Sequence, residues 1–362
     1  MYGAGAGAVW GLVFLAPKLV DTFNPFLLAS GRYLFYGLIS AVLLAPRWRE
    51  LVARVTRREW LALTWLGFAG NTLYYVLLST AVQLGGIAMT TLIIGFLPVA
   101  VTILGSRDRD AVPFTRLFPS LLLCIAGAIC IGWQTMAEPM SAHVTGLLCA
   151  VGALISWTAY AVGNRRWLVR LTPGSAHDWT LLMGIVTGVQ SLLLLPFALA
   201  LDTTHHSGRE WGQFVTISIA VAFFASIVGN AFWNRMSRLL PLTLDGHKIL
   251  FETLFALIYG FLWEDRLPRL LETAAFTLLV LSVLSCVSAH HDKQKHILVP
   301  NKSLKNQNKD NGLILSTNLK CRILPTHTVS AIDKPTEILA AAKFLRKRPR
   351  FGSMRAMNRR HS

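Results

Sequence analysis

Residues 70–105 read GNTLYYVLLSTAVQLGGIAMTTLIIGFLPVAVTILG and contain no Asp, Glu, Lys or Arg. A helix needs roughly 20 apolar residues to cross a bilayer, and this stretch holds two such runs, parted at Gly85-Gly86. Backbone polar groups cannot be left bare in lipid, so the runs read as helices. Residues 229–264, GNAFWNRMSRLLPLTLDGHKILFETLFALIYGFLWE, follow the same plan with no gap, at a constant offset of 159 (229 against 70). Trp10–Pro46 likewise resembles Trp157–Pro196, with three extra residues in the later copy.

The rest of the chain agrees. Of its 362 residues 53% are hydrophobic and 15% charged, and the mean hydropathy is +0.49. Soluble domains average about 25% charged residues. Ten apolar segments stand out, at 4–20, 25–45, 60–81, 86–105, 116–135, 144–163, 178–200, 212–234, 245–263 and 270–290. The strongest breaks are RWRELVARVTRRE at 47–59, SRDRDAVP at 106–113, AEPMSAH at 137–143 and DTTHHSGRE at 202–210. The short alternating segments of a β-barrel do not occur. The expected fold class is therefore an all-α integral membrane protein with ten transmembrane helices.

Orientation follows from loop Lys and Arg. With a cytoplasmic N-terminus, the inner loops hold Arg47, Arg49, Arg54, Arg57, Arg58, Arg107, Arg109, Arg116, Arg165, Arg166, Arg170, Arg235 and Arg238; the outer side holds Lys18, Arg209, Arg266 and Arg269. Both termini then lie in the cytoplasm, and the expected location is the cell inner membrane. Five helices is an odd number, so two copies of a five-helix unit enter the membrane in opposite senses. Inverted repeats of this kind recur in secondary transporters, with substrate held near the midplane between the halves. The expected organisation is a first repeat at 1–136, a second at 143–290 and a tail at 291–362. The tail holds 16 Lys+Arg against 4 Asp+Glu, which makes +12 of the chain's +17. A basic chain invites a nucleic-acid reading, but here most of the charge lies in one polar, disordered-looking segment. Anionic lipid headgroups are the expected partners of FLRKRPRFGSMRAMNRR, and nucleic acid is not expected. The N-terminus has no charged n-region or cleavage site, so it reads as a first span.

The chain also resembles the drug/metabolite transporter superfamily, specifically its EamA-type proteins. The resemblance rests on Trp10-Gly11, Phe14 and Lys18 in span one, Arg32 in span two, LIIGFLPVAVTIL with Pro98 in span four, and the acid Glu264 closing span nine. It covers residues 1–290 and implies ten helices in two inverted five-helix repeats that carry a small metabolite such as an amino acid, with export as the expected direction. Leu257 stands where a second Pro is expected, Gly105 where the first repeat often has an acid, and the charged DGHK entry to span nine is foreign to the family pattern.

Candidate functional residues come from charges placed where lipid should be. At about 100° per residue, Asp245, Lys248, Glu252, Phe255 and Tyr259 form one stripe, with His247 on the opposite side. A charge at the bilayer centre costs roughly 2.5–3.5 kcal/mol on insertion scales, so the stripe should face a bundle interior or watery cavity. Glu252 lies roughly 10 Å beyond Asp245 at about 1.5 Å per residue, which brings it toward the midplane as a titratable group for a proton or a substrate ammonium. Its bland reading is an i, i+4 pair with Lys248; for Asp245 it is a helix N-cap. Arg32 is the other deep charge, read either as a carboxylate-binding group or as one half of a structural pair. Asn71, Tyr75, Asn230 and Trp233 are cavity-lining candidates, with interhelical bonding as the structural alternative for the two asparagines. Gly3-Gly7-Gly11 has the spacing of close helix packing.

Five dispersed cysteines without a CxxC pair read as small apolar side chains, and no metal site is expected. Neither GxxxxGK[ST] nor HExxH occurs, so no cofactor is expected and the chain is not read as an enzyme. The helical angles oppose an intramembrane enzyme built on Asp245, His247 and Glu252. The alternative function is a non-transporting membrane sensor or assembly subunit that acts through its basic tail. A homodimer is among the assemblies this reading allows.

Overall fold

The computed structural model describes residues 2–105, 114–137, 141–170, 175–229 and 246–298. These residues are helices joined by short turns. The helices are α1 (Tyr2–Leu19), α2 (Pro25–Leu44), α3 (Trp48–Arg54), α4 (Arg57–Gly67), α5 (Tyr74–Gly85), α6 (Ile87–Ile94), α7 (Leu97–Gly105), α8 (Phe114–Ala137), α9 (Ser141–Leu168), α10 (Ser175–Ala200), α11 (Gly208–Val221), α12 (Gly246–Trp263) and α13 (Leu270–Leu298). Among the described residues, six helical stretches are long and apolar enough to cross a membrane, and four shorter apolar helices lie at Gly5–Leu19, Ile87–Val101, Phe251–Trp263 and Leu270–Cys286.

The sequence explains where the helices start and break. Asn24 caps α2 by accepting a hydrogen bond from Leu27 N at 2.9 Å, with Pro25 at the first helical position, where its missing N–H costs nothing. Capping boxes open both α4 (Thr56 with Glu59) and α11 (Ser207 with Glu210). In each box the glutamate returns a bond to the cap's backbone N–H, so two orphan donors are satisfied together. Each helix then passes into a π-helical stretch, Phe68–Leu73 after α4 and Ala222–Gly229 after α11. Gly86, at φ +86°, ends α5 and starts α6, a conformation that glycine adopts without a Cβ clash. α6 stops at Ile94, four residues before Pro98, because the proline ring collides with the carbonyl at i−4.

The α4 capping box starts the third span at Arg57, three residues before the apolar segment at 60–81; Asn71 lies in the π-helical stretch and Tyr75 in the first turn of α5.

Packing brings distant segments together. α2 lies along α10, α1 along α12, α5 along α9, and α8 along α13. α1 also meets the Ala222–Gly229 stretch, while α6 and α7 meet α9 and α12. Small residues set the closest approaches. A Cβ on Gly37 would lie 2.7 Å from Gly188 Cα, and one on Gly188 would lie 2.8 Å from Gly37 Cα. Gly7 and Gly11 press α1 onto the α12 backbone, where added Cβ atoms would come 2.8 Å from Glu252 N and 2.9 Å from Ala256 N. Ser120 and Ser282 tie α8 to α13 reciprocally, each hydroxyl donating to the other residue's carbonyl at 2.9 and 2.8 Å. The largest buried cluster, including Phe14, Leu27, Tyr33, Tyr75 and Leu78, fills the space among α1, α2 and α5.

Candidate functional site

Arg32 lies in α2, turned inward, with 8% of its surface exposed. Its neighbour Gly31 lets α11 approach closely, since a Cβ there would sit 2.6 Å from the Phe214 ring. The Arg32 guanidinium stands 4.4 Å from the centre of the Tyr75 ring and 5.0 Å from that of Tyr33. These two rings meet edge to face, 5.8 Å apart at 82°. A guanidinium within about 6 Å of an aromatic face is attracted by the ring quadrupole. The guanidinium hydrogen-bonds the Tyr75 side chain, but among the described residues its buried Nε and Nη1 have no hydrogen-bond partner.

Glu252 enters the same region from α12. The close approach of α1 at Gly7 fixes its backbone, and its side chain keeps part of its surface accessible. Arg32 is within electrostatic reach of Glu252, and both are within reach of Tyr74. Tyr36 and Tyr160 join through Tyr33. Trp157 stacks on Tyr74 at 5.8 Å and continues to Tyr160 at 6.4 Å. Five of the chain's seven tyrosines thus gather around one arginine and one glutamate. Among the described residues no ion pair or hydrogen bond joins Arg32 to Glu252. Chemically the cluster offers a fixed cation, a carboxylate and aromatic walls, a set able to hold a small charged molecule.

A second polar region is an open cavity of about 350 Å³ where α1, α5, α8 and α12 end and α6, α9 and α13 begin. Lys18, Gln134, His143, Glu264, Arg266 and Glu272 line it. Arg266 bridges the α12–α13 turn: its Nε meets Glu264 at 2.6 Å, and its two terminal nitrogens grip Glu272 at 2.8 Å each. The Glu272 hydrogen bonds, with help from Glu264, hold the Arg266 guanidinium even further above its ordinary range. Buried Gln134 Oε1 and His143 Nδ1 find no partner among the described residues.

The EamA-like transporter family profile matches residues 1–133. The inner membrane protein YtfF of Escherichia coli (strain K12) is 32% identical over 308 residues, which cover 81% of this chain and 96% of that protein. The chain belongs to the EamA-like transporter family. A solved structure described only as the crystal structure of a protein superposes with a TM-score of 0.54 at 18% identity, over 78% of this chain and 94% of its own. That likeness speaks to the fold alone.

In this EamA-like membrane transporter the sequence-derived candidates fall into three groups. Arg32, Tyr75 and Glu252 converge in the interior cluster. Asn71 and Tyr259 are engaged in packing: Asn71 Nδ2 donates to Thr187 Oγ1 at 3.1 Å, and the Tyr259 hydroxyl donates to Ala8 O at 3.1 Å. Asn230, Trp233 and Asp245 lie outside the described residues. Lys248 enters in the first turn of α12, with its side chain outside them. Sequence reasoning missed Tyr33, Tyr36 and Tyr160 as a set, and the Arg266–Glu264–Glu272 network entirely. The tyrosines carried a usable signal: Tyr33 and Tyr36 lie one turn apart in the same span as Arg32.

Proposed function

We propose that this protein is a secondary transporter that exports a small metabolite by alternating access, with Arg32, Glu252 and their tyrosines lining the central chamber. Ten spans form two inverted five-helix halves, both termini are cytoplasmic, and the membrane is the cell inner membrane. The observation that carries the reading is the pairing of helices between halves. When each span is exchanged for its counterpart five places on, the contact of α1 with α12 becomes that of α9 with α6 and α7. The contact of α5 with α9 becomes that of the Ala222–Gly229 stretch with α1, and the α2–α10 and α8–α13 pairs map onto themselves.

Finer features follow the same exchange. Gly70 lies under the Tyr160 ring and Gly229, 159 residues later, under the Trp10 ring. Gly37 and Gly188 meet each other, as do Ser120 and Ser282. Capping boxes open the third span of each half, and the two-half plan puts them on opposite faces of the membrane. On this plan the 350 Å³ cavity opens to the outer side, at the small end of ligand-pocket volumes, and serves as the exit vestibule.

The test is flux of a metabolite panel in proteoliposomes with and without an imposed pH gradient. Glu252→Gln should lower the rate at least about tenfold, equivalent to about 1.4 kcal/mol in the barrier, while the protein still inserts and purifies normally. Wild-type flux from that variant would remove Glu252 from the transport cycle. Flux indifferent to the imposed gradient for every compound would leave Glu252 the ammonium-binding role and not a proton-carrying one.

A further inference from the structure

We infer that Arg32 is an anion receptor: when the chamber opens, its unpartnered guanidinium N–H groups take the carboxylate of a small organic acid whose apolar body lies against Tyr33 and Tyr75. This names the ligand chemistry of the chamber and rests on the transport reading.

The argument starts from what the guanidinium lacks. Arginine carries five N–H donors and no acceptor. The residue is more than nine-tenths buried, yet among the described residues Nε and Nη1 have no hydrogen-bond partner. Buried polar groups are nearly always hydrogen-bonded, so an orphan invites an explanation. A purely structural arginine would close on its acid. Glu252 is near enough to act on Arg32 electrostatically, yet no hydrogen bond or ion pair joins them among the described residues. What covers the guanidinium instead is the faces of Tyr75 and Tyr33. The Tyr75 side chain also takes a hydrogen bond from the guanidinium, but the ring faces offset its charge without consuming Nε or Nη1.

The charge balance selects the ligand. Among the described residues the interior cluster has one cation, Arg32, with the Glu252 carboxylate within electrostatic reach of it, so a singly charged carboxylate matches better than a dianionic phosphate. A planar guanidinium fork is shaped for carboxylates. The tyrosine and tryptophan walls favour an apolar or aromatic body beside that carboxylate. A cationic group on the same ligand would find Glu252.

Three probes of similar size separate the chemistries: 3-phenylpropionate (carboxylate alone), L-phenylalanine (carboxylate and ammonium) and phenethylammonium (no carboxylate). Each is titrated at constant ionic strength into the full chain in lipid-free detergent, and the melting temperature is read. A carboxylate probe should raise it and phenethylammonium should not. Arg32→Gln should weaken the carboxylate response at least about tenfold. Arg32→Lys, which keeps the charge but loses the fork, should fold and still bind more weakly than wild type. Because either variant could fail to fold, wild type carries its own readout: a carboxylate that draws the guanidinium off Tyr75 should change the tyrosine ultraviolet difference spectrum.

The inference is overturned by no response to either carboxylate, by an equal response to phenethylammonium, by an unchanged response in Arg32→Gln, or by a silent tyrosine spectrum at saturation. Carboxylate binding without flux would instead count against the transport reading.

Discussion

The crossing of α2 and α10 at Gly37 and Gly188 makes a sharp prediction. A Cβ added to Gly37 would sit 2.7 Å from Gly188 Cα, whereas nonbonded carbons prefer about 3.5–4.0 Å. The two helices must therefore part by about 1 Å to admit a single methyl. Overpacking of this size costs typically about 1–3 kcal/mol. At about 2.1 cal/mol/K per residue, the melting point of this chain of 362 residues shifts by about 1.3 °C per kcal/mol, so Gly37→Ala should lower the melting temperature in detergent by about 1–4 °C, and Gly37→Leu by more. Gly188→Ala should act similarly, since its Cβ would fall 2.8 Å from Gly37 Cα. The double alanine variant should be non-additive, because both methyls contest one contact. Gly132→Ala and Gly212→Ala are the controls, because Cβ atoms there meet nothing within 4 Å; replacing a helical glycine in open space should hold or slightly raise stability. If Gly37→Leu melts with wild type, or the controls fall as far as the crossing variants, the helices do not cross at these glycines and the two-half plan loses its axis.

Two further outcomes are expected. Ser120→Ala and Ser282→Ala each delete one hydroxyl-to-carbonyl bond between α8 and α13. Bonds between membrane helices average about 0.6 kcal/mol, with a maximum near 1.7, so each variant should lose less than about 2 kcal/mol in a reversible unfolding titration; a larger loss from either would mean the hydroxyl does more than tie two helices. Deleting residues 291–362 should leave flux per molecule unchanged in proteoliposomes, and loss of flux with normal insertion would move the working part into the basic tail.

Much of the fold was legible in the chain. The uncharged stretch 70–105 announced helices in lipid, and Gly85-Gly86 marked their break because only glycine accepts Gly86's φ of +86° readily. The small-residue spacing at Gly7 and Gly11 announced a tight helix contact, though not that α12 was its partner. The third span starts three residues before its apolar segment, because the polar and arginine-rich TRREW reads as loop by hydropathy while Thr56 and Glu59 form a cap that starts the helix there. The site was legible only in part. Arg32 and Glu252 were visible as charges out of place, but Tyr33, Tyr36 and Tyr160 looked like ordinary aromatic residues of apolar helices.

The sequence by itself determined the solvent, the helices and their order, because burial in lipid acts on each segment separately and needs only its composition and length. It also determined the family, through residues 1–133 and the likeness to YtfF across most of the chain. Tertiary structure alone decided which faces meet. Arg32, Tyr75, Tyr160 and Glu252 lie in four different helices and converge because glycines let particular backbones approach. Hydropathy treats all inward faces as equal; close packing does not, since one methyl at Gly37 decides whether two helices, 151 residues apart at their contact (188 against 37), can touch.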